Sequence, residues 1–141
     1  MSRAVLVGAL DASALGMRHD IHDRTFAFAV RVCTLSDDPW FRDIVRRAIA
    51  SQLVSAATSV GANLAEASAA QSKPDFNAKV GIAKKEIGEA QWWLRVAESV
   101  DLCRRRDWNE LRAEAASIGQ VISAISRSAR HSPHRGSDSD H

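Results

Sequence analysis

Apolar residues recur at intervals of three and four along most of the chain, the pattern of helices that bury one stripe. Ile21, Thr25, Phe28, Val32 and Leu35 form the first stripe, and Ser36-Asp37-Asp38-Pro39 ends it. A residue before proline is pushed out of the α region. Asp38 is therefore expected to cap a second helix, with Pro39 at its first position, where a missing N–H costs nothing. That helix is expected from Trp40 to about Ala70, with Val45, Ile49, Leu53, Ala56, Val60, Leu64 and Ala67 turned inward. Gly61 in its middle marks a close helix contact or a slight bend. Ser72-Lys73-Pro74-Asp75 is the clearest boundary: Ser72 is a good N-cap, Pro74 suits a first turn, and Asp75 approximates a capping box. The third stripe is Phe76, Val80, Ala83, Ile87, Ala90, Leu94 and Ala97, with Asp101 closing it. The fourth opens at Asp107 as N-cap and carries Trp108, Leu111, Ala115, Ile118, Ile122, Ile125 and Ala129.

Four amphipathic helices on short links predict an all-α fold, an antiparallel up-down-up-down four-helix bundle over residues 20–130. A flexible leader (1–19) and a disordered polar tail (131–141) are expected to flank it. Arg3 and the apolar run from Ala4 to Leu10 faintly resemble a secretory signal, but Asp11 interrupts the run and Met17 follows closely. A leader, or translation from Met17, is expected rather than secretion. Composition agrees with helices: the 141 residues include 24 Ala and 15 Arg against 4 Lys, with only 7 Gly and 3 Pro for turns. That scarcity excludes an all-β domain. No apolar run approaches the roughly 18 residues of a membrane span. Cys33 and Cys103 are too few for a disulfide framework and too far apart for a CxxC site, so both are expected as thiols of a cytoplasmic protein.

Catalytic chemistry finds no foothold. The histidines are His19, His22, His131, His134 and His141, all at or beyond the bundle ends, and no Glu-x-x-His motif exists to build a metal site. The glycines never approach a phosphate-cradling loop. No catalytic residue, cofactor or metal is expected, and the protein is not expected to be an enzyme. Antiparallel pairing places Asn63 near 83–86 and Ser59 near Ile87, so Ser59, Asn63, Glu66, Glu86 and Glu89 are expected as a polar layer that fixes helix register or subunit contact. Acid–base work by these carboxylates is the less favoured alternative.

Charge and aromatic residues point outward. The formal net charge is only +2, but one pole gathers Arg31, Arg42, Arg46, Arg47, Arg104, Arg105, Arg106 and Arg112. Asp37, Asp38, Asp43, Glu98, Asp101, Asp107, Glu110 and Glu114 lie at the same pole and are expected to pair with many of them. Arg42, Arg46, Arg47, Arg104, Arg105 and Arg106 remain the candidates for binding RNA or DNA. Lys84-Lys85, with Lys73 and Lys79, forms a thinner basic stretch. Because Leu94 holds the core phase, Trp92 and Trp93 cannot both face inward, and Val96 and Val100 extend the row from Trp93. Phe26, Val30 and Cys33 form a second row on the first helix. Phe26, Val30, Trp92, Trp93 and Val96 are thus candidates for an interface between subunits, the alternative being a core wide enough to absorb both rows.

Three segments carry a resemblance: Ser59-Val60-Gly61-Ala62-Asn63-Leu64-Ala65-Glu66, then Ser72-Lys73-Pro74-Asp75-Phe76, then Lys85-Glu86-Ile87-Gly88-Glu89-Ala90-Gln91-Trp92-Trp93-Leu94. In this order and spacing they resemble the four-helix-bundle proteins encoded in intervening sequences of 23S ribosomal RNA genes, a group that includes the accessory variability determinant of diversity-generating retroelements. The resemblance runs from about Asp20 to Arg130. It implies a homopentameric barrel of antiparallel bundles without catalytic activity. In the retroelement member it also implies binding of nucleic acid and of a reverse transcriptase. This chain is only mildly basic. Its expected function is therefore a non-enzymatic homo-oligomer, pentameric by resemblance, with RNA or DNA as partner. The alternative is a protein-interaction adaptor for a neighbouring gene product.

Overall fold

The computed structural model describes residues 12–35, 43–102 and 105–131, with side chains from 20 onward except those of 105 and 106. Four helices and no strand occur among the described residues: α1 (Ala12–Thr34), α2 (Ile44–Ser68), α3 (Lys73–Ser99) and α4 (Arg105–His131). α1 and α3 each pack on both α2 and α4.

The predicted stripes converge on one core. Ile21, Phe28, Val32, Leu53, Val60, Leu64, Val80, Ile87, Leu94, Leu111, Ile118 and Ile122 are all buried there. Trp108 is the largest fully enclosed side chain, at 1% exposure. Alanines fill the tight places, with Ala56, Ala57, Ala83, Ala90, Ala97 and Ala115 buried between helices. Such small side chains let helix axes approach closely, and close-packed interiors leave few voids. Thr25 is the one buried polar side chain among the described residues, and its Oγ1 donates to the Ile21 carbonyl at 2.8 Å. Directly opposite it stands Gly61, where an added Cβ would lie 3.1 Å from that hydroxyl. Gly61 therefore marks a close contact between α1 and α2.

Helix ends depart from expectation where local hydrogen bonding decides them. α1 begins at Ala12, well before the Asp20 at which apolar periodicity starts. α2 begins at Ile44 because Asp43 caps it, its Oδ1 accepting from the Val45 N–H at 2.9 Å. Asp38, expected as that cap, and Trp40, expected as the helix start, lie outside the described residues. Val45, in the first turn at the end of the bundle, is exposed rather than in the core. α3 behaves as read: Ser72 Oγ accepts from the Asp75 N–H at 3.2 Å, and Pro74 sits in the first turn. Its C-terminus closes by a backbone motif that periodicity does not signal. Asp101 takes φ 51, the Asp101 N–H donates to Glu98 O, and the Leu102 N–H donates to Ala97 O. Leu102 is buried beneath that turn. α4 then starts at Arg105, which puts Asp107 within the first turn rather than at the cap. There its carboxylate still meets the positive end of the helix dipole. α4 also includes His131, one residue past the expected bundle boundary.

Ion pairs and hydrogen bonds tie the helices laterally. Arg24 and Arg31 of α1 pair with Glu114 and Glu110 of α4, each at 3.0 Å. Lys79 of α3 meets Glu66 of α2 at 2.6 Å, and Arg112 of α4 meets Glu98 of α3 at 2.6 Å. His22 and Ser68 share a hydrogen bond of 2.9 Å between α1 and α2.

Candidate nucleic-acid and assembly surfaces

The arginine pole is partly neutralised. Arg42 and Arg104 lie outside the described residues, and Arg105 and Arg106 belong to the first turn of α4 without described side chains. Arg46 is half-buried and reaches the Val100 carbonyl at the C-cap of α3, a long contact of 3.4 Å. A cation there complements the negative end of the α3 dipole. Arg47 is exposed. Arg31 and Arg112 of the same pole are held by carboxylates, as their density predicted.

The polar residues expected as one layer do not join into a network: Asn63 turns back on its own helix, and Glu66 crosses to Lys79. Asn63 Nδ2 donates to the Ser59 carbonyl of its own helix at 2.8 Å, and no hydrogen bond joins Asn63 to Glu86 among the described residues. One turn back along the same helix is the nearest acceptor, so the amide need not reach α3. Glu86 is half-buried, Glu89 exposed, and Glu66 binds Lys79 instead. The hydrogen bond that the Lys79 ammonium donates to the Glu66 carboxylate, with that group's charge, holds the ammonium above its ordinary pKa. Arg24 is shifted upward likewise, chiefly by its hydrogen bonds to Glu114.

The second apolar rows divide between two surfaces. On α1, Phe26 is 70% exposed and Val30 is also open, with the exposed Cys33 thiol one turn further on. On the other surface Ile44, 75% exposed, Val45 and Ala48 of α2 line an apolar groove with Trp93 of α3. Trp93 and Val96 are half-buried against the core, so the core absorbs part of that row. Trp92 turns away from this groove, 57% exposed, its ring 6.0 Å from the Arg95 guanidinium.

Between α3 and α4 runs a groove that the apolar pattern did not single out. Lys84, Gly88 and Gln91 of α3 face Gly119, Ser123 and Arg127 of α4 in one stretch. Gln91, Arg95, Arg112 and Ala116 continue it. The stripes Lys84, Gly88, Gln91, Arg95 and Arg112, Ala116, Gly119, Ser123, Arg127 keep the helical spacing of three and four, so the signal lay in polar and small residues. No carboxylate lines either stretch.

At the opposite pole, Ile21, Leu64, Phe76, Val80 and Ile125 floor a cleft of about 430 Å³. Among the described residues no cluster of three or more His, Cys, Asp or Glu is placed to hold a metal ion, and no helix is long and apolar enough to cross a membrane.

Helices of similar length, each packed on two neighbours around an alanine-rich core, define the class: an all-α helical bundle. Within that class the sequence matches the profile of the 23S rRNA-intervening sequence proteins over residues 17–124, and the chain belongs to that family. Among solved structures it is similar to a protein of unknown function from the S23 ribosomal protein family of Bacteroides thetaiotaomicron. The two share 27% sequence identity and a TM-score of 0.69, with 79% of this chain and 98% of that one covered. No functionally curated protein matches the chain.

Proposed function

We propose that this chain is a non-catalytic assembly protein: an up-down-up-down antiparallel bundle that joins further copies of itself in a ring, pentameric by family resemblance, and offers cations to RNA or DNA. The antiparallel order is supported by the sense of the cross-helix contacts. Arg24 meets Glu114 while the later Arg31 meets the earlier Glu110. Glu66 meets Lys79 while the earlier Arg46 meets the later Val100. Glu98 meets Arg112 while the earlier Gln91 faces the later Gly119.

One observation carries the assembly: besides Ile82 and Trp92 elsewhere on α3, exposed apolar side chains cluster on two different surfaces, Phe26 and Val30 on α1 and Ile44 and Val45 at the α2–α3 groove. An isologous dimer needs only one self-complementary patch, whereas a ring needs two unlike patches that dock head to tail. Nucleic-acid binding is supported by the excess of arginine over lysine, since a guanidinium forks onto phosphate oxygens. Light scattering coupled to size exclusion at micromolar concentration tests the assembly: a discrete closed oligomer is expected, and a monomer refutes it. A salt-titrated binding assay with labelled RNA and DNA tests the second part. Affinity should fall steeply as salt rises. Assembly without any binding at low salt would mark the chain as a protein-interaction adaptor.

A further inference from the structure

The α3–α4 groove differs from the α1–α4 seam in how its charge is arranged. On the α1 side of α4, Glu110 and Glu114 hold Arg31 and Arg24. On its α3 side α4 presents Arg112, Ala116, Gly119, Ser123 and Arg127, with no carboxylate among the residues lining the groove. Arg112 is held by Glu98. Lys84, Arg95 and Arg127 are exposed and form no ion pair with a described carboxylate. The near-neutral total charge of the chain therefore conceals one face where Lys84, Arg95 and Arg127 stand without a paired acid, Glu98 answering only Arg112.

The floor is shaped for close approach. Gly88 has nothing within 4 Å of where its Cβ would stand, and at Gly119 the nearest neighbour is the Gln91 amide at 3.4 Å. Side-chain bulk is thus absent from the middle of the groove, while Gln91, Gln120 and Ser123 supply hydrogen-bonding groups along it. From Lys84 to Arg95 the unpaired cations span about 16 Å of helix at 1.5 Å per residue, with Arg127 across from Lys84. Beside the groove lies the exposed Trp92, whose ring stacks near the Arg95 guanidinium. A row of cations tracking a backbone, with an open aromatic face at its edge, is the composition of a single-strand site, because unpaired bases stack on the ring while phosphates meet the cations. Packed helices lie about 8–10 Å apart. Cations on two helices that close flank a single line of phosphates, as one strand presents.

We infer that the α3–α4 groove binds single-stranded nucleic acid, its phosphates along Lys84, Arg95 and Arg127 and a base on Trp92. This inference rests on the nucleic-acid reading above and assigns it to a surface other than the arginine pole.

The test uses the full chain and a fluorescein-labelled oligouridylate of about 20 nucleotides, followed by anisotropy across a salt series. Each lost phosphate contact lowers the slope of log K against log salt by about 0.7 for a single strand, so the triple variant Lys84→Gln/Arg95→Gln/Arg127→Gln should lose about 2 in slope and about 100-fold in affinity at 0.1 M salt. Trp92→Ala should lose about tenfold with the slope unchanged, because stacking releases no counterion. All four positions are at the surface, and circular dichroism and thermal melting of each variant should match the parent. A triple variant with the parental slope would overturn the groove while leaving nucleic-acid binding by the chain intact. Equal affinity for a duplex together with a neutral Trp92→Ala would overturn the single-strand assignment. No binding by the unaltered chain would overturn both.

Discussion

Glycines in this bundle separate into two kinds by what stands across from them. At Gly81 an added Cβ meets nothing within 4 Å. Replacing it by alanine removes the entropic cost of glycine in a helix, about 1 kcal/mol. Gly81→Ala should therefore raise the melting temperature by about 3–4 °C for a chain of this size. Gly61 offers the same gain but lies 3.1 Å from Thr25 Oγ1 on the notional Cβ. Thr25 cannot yield freely, since it is fully buried and its hydroxyl is tied to the Ile21 carbonyl. Overpacking of this kind costs about 1–3 kcal/mol, so Gly61→Ala should come out destabilising despite the better helix former. Calorimetry of both variants decides the matter. A Thr25→Ala background should restore part of what Gly61→Ala loses, because the two effects share one contact. Asp101 is a third case: its φ of 51 sits where glycine is at ease, and the turn there is held by its backbone bonds.

At the level of helices, the α1–α4 seam depends on one fork. Arg24 donates from Nε and one terminal nitrogen to both oxygens of Glu114, and from the latter nitrogen also to Ser117 Oγ at 2.8 Å. Both partners are about three-quarters covered, which sets this pair above the exposed ones elsewhere on the surface. Arg24→Ala should cost about 1–2 kcal/mol in a urea titration, and Arg24→Lys should recover little of it, since an ammonium cannot fork. The folded guanidinium has a raised pKa, so its contribution is fully present below the unfolded value and fades only as pH rises through the folded one. Loss of the variant's deficit near neutral pH would contradict the assignment.

The same seam shows why some of the structure was readable and some was not. Periodicity within a helix identified the buried stripes from Ile21 to Val32 and from Trp108 to Ile122, because burial repeats with the helical turn. It missed the Asp43 cap, which one side-chain hydrogen bond decides, and the Arg24–Glu114 fork, whose partners are 90 residues apart. It also passed over the α3–α4 groove, where the repeating residues are cations and glycines rather than apolar side chains.

For the whole molecule the question is how two unlike apolar surfaces are covered. Phe26 and Val30 occupy the outer side of α1, while Ile44 and Val45 flank Trp93 across the α2–α3 groove. Single, scattered apolar residues on a surface need no partner, but these are clustered, and they include aromatic groups that favour interface cores. If the α1 surface of one copy docks on the α2–α3 groove of the next, each subunit contributes one half to each of two interfaces. Phe26→Asp then ruins one half and Val45→Asp the other. Both positions are exposed, so neither change should unfold the subunit. Each variant alone should run as a monomer in light scattering, since every junction contains one damaged surface. An equimolar mixture should form a heterodimer and go no further, because the intact α1 surface of the Val45→Asp chain meets the intact groove of the Phe26→Asp chain and both outer surfaces are blocked. An isologous arrangement predicts otherwise. If α1 paired with α1, Val45→Asp would still dimerise unmixed; if groove paired with groove, Phe26→Asp would. The unmixed variants therefore distinguish a self-paired dimer from a ring, and the mixture tests whether the two surfaces dock on each other.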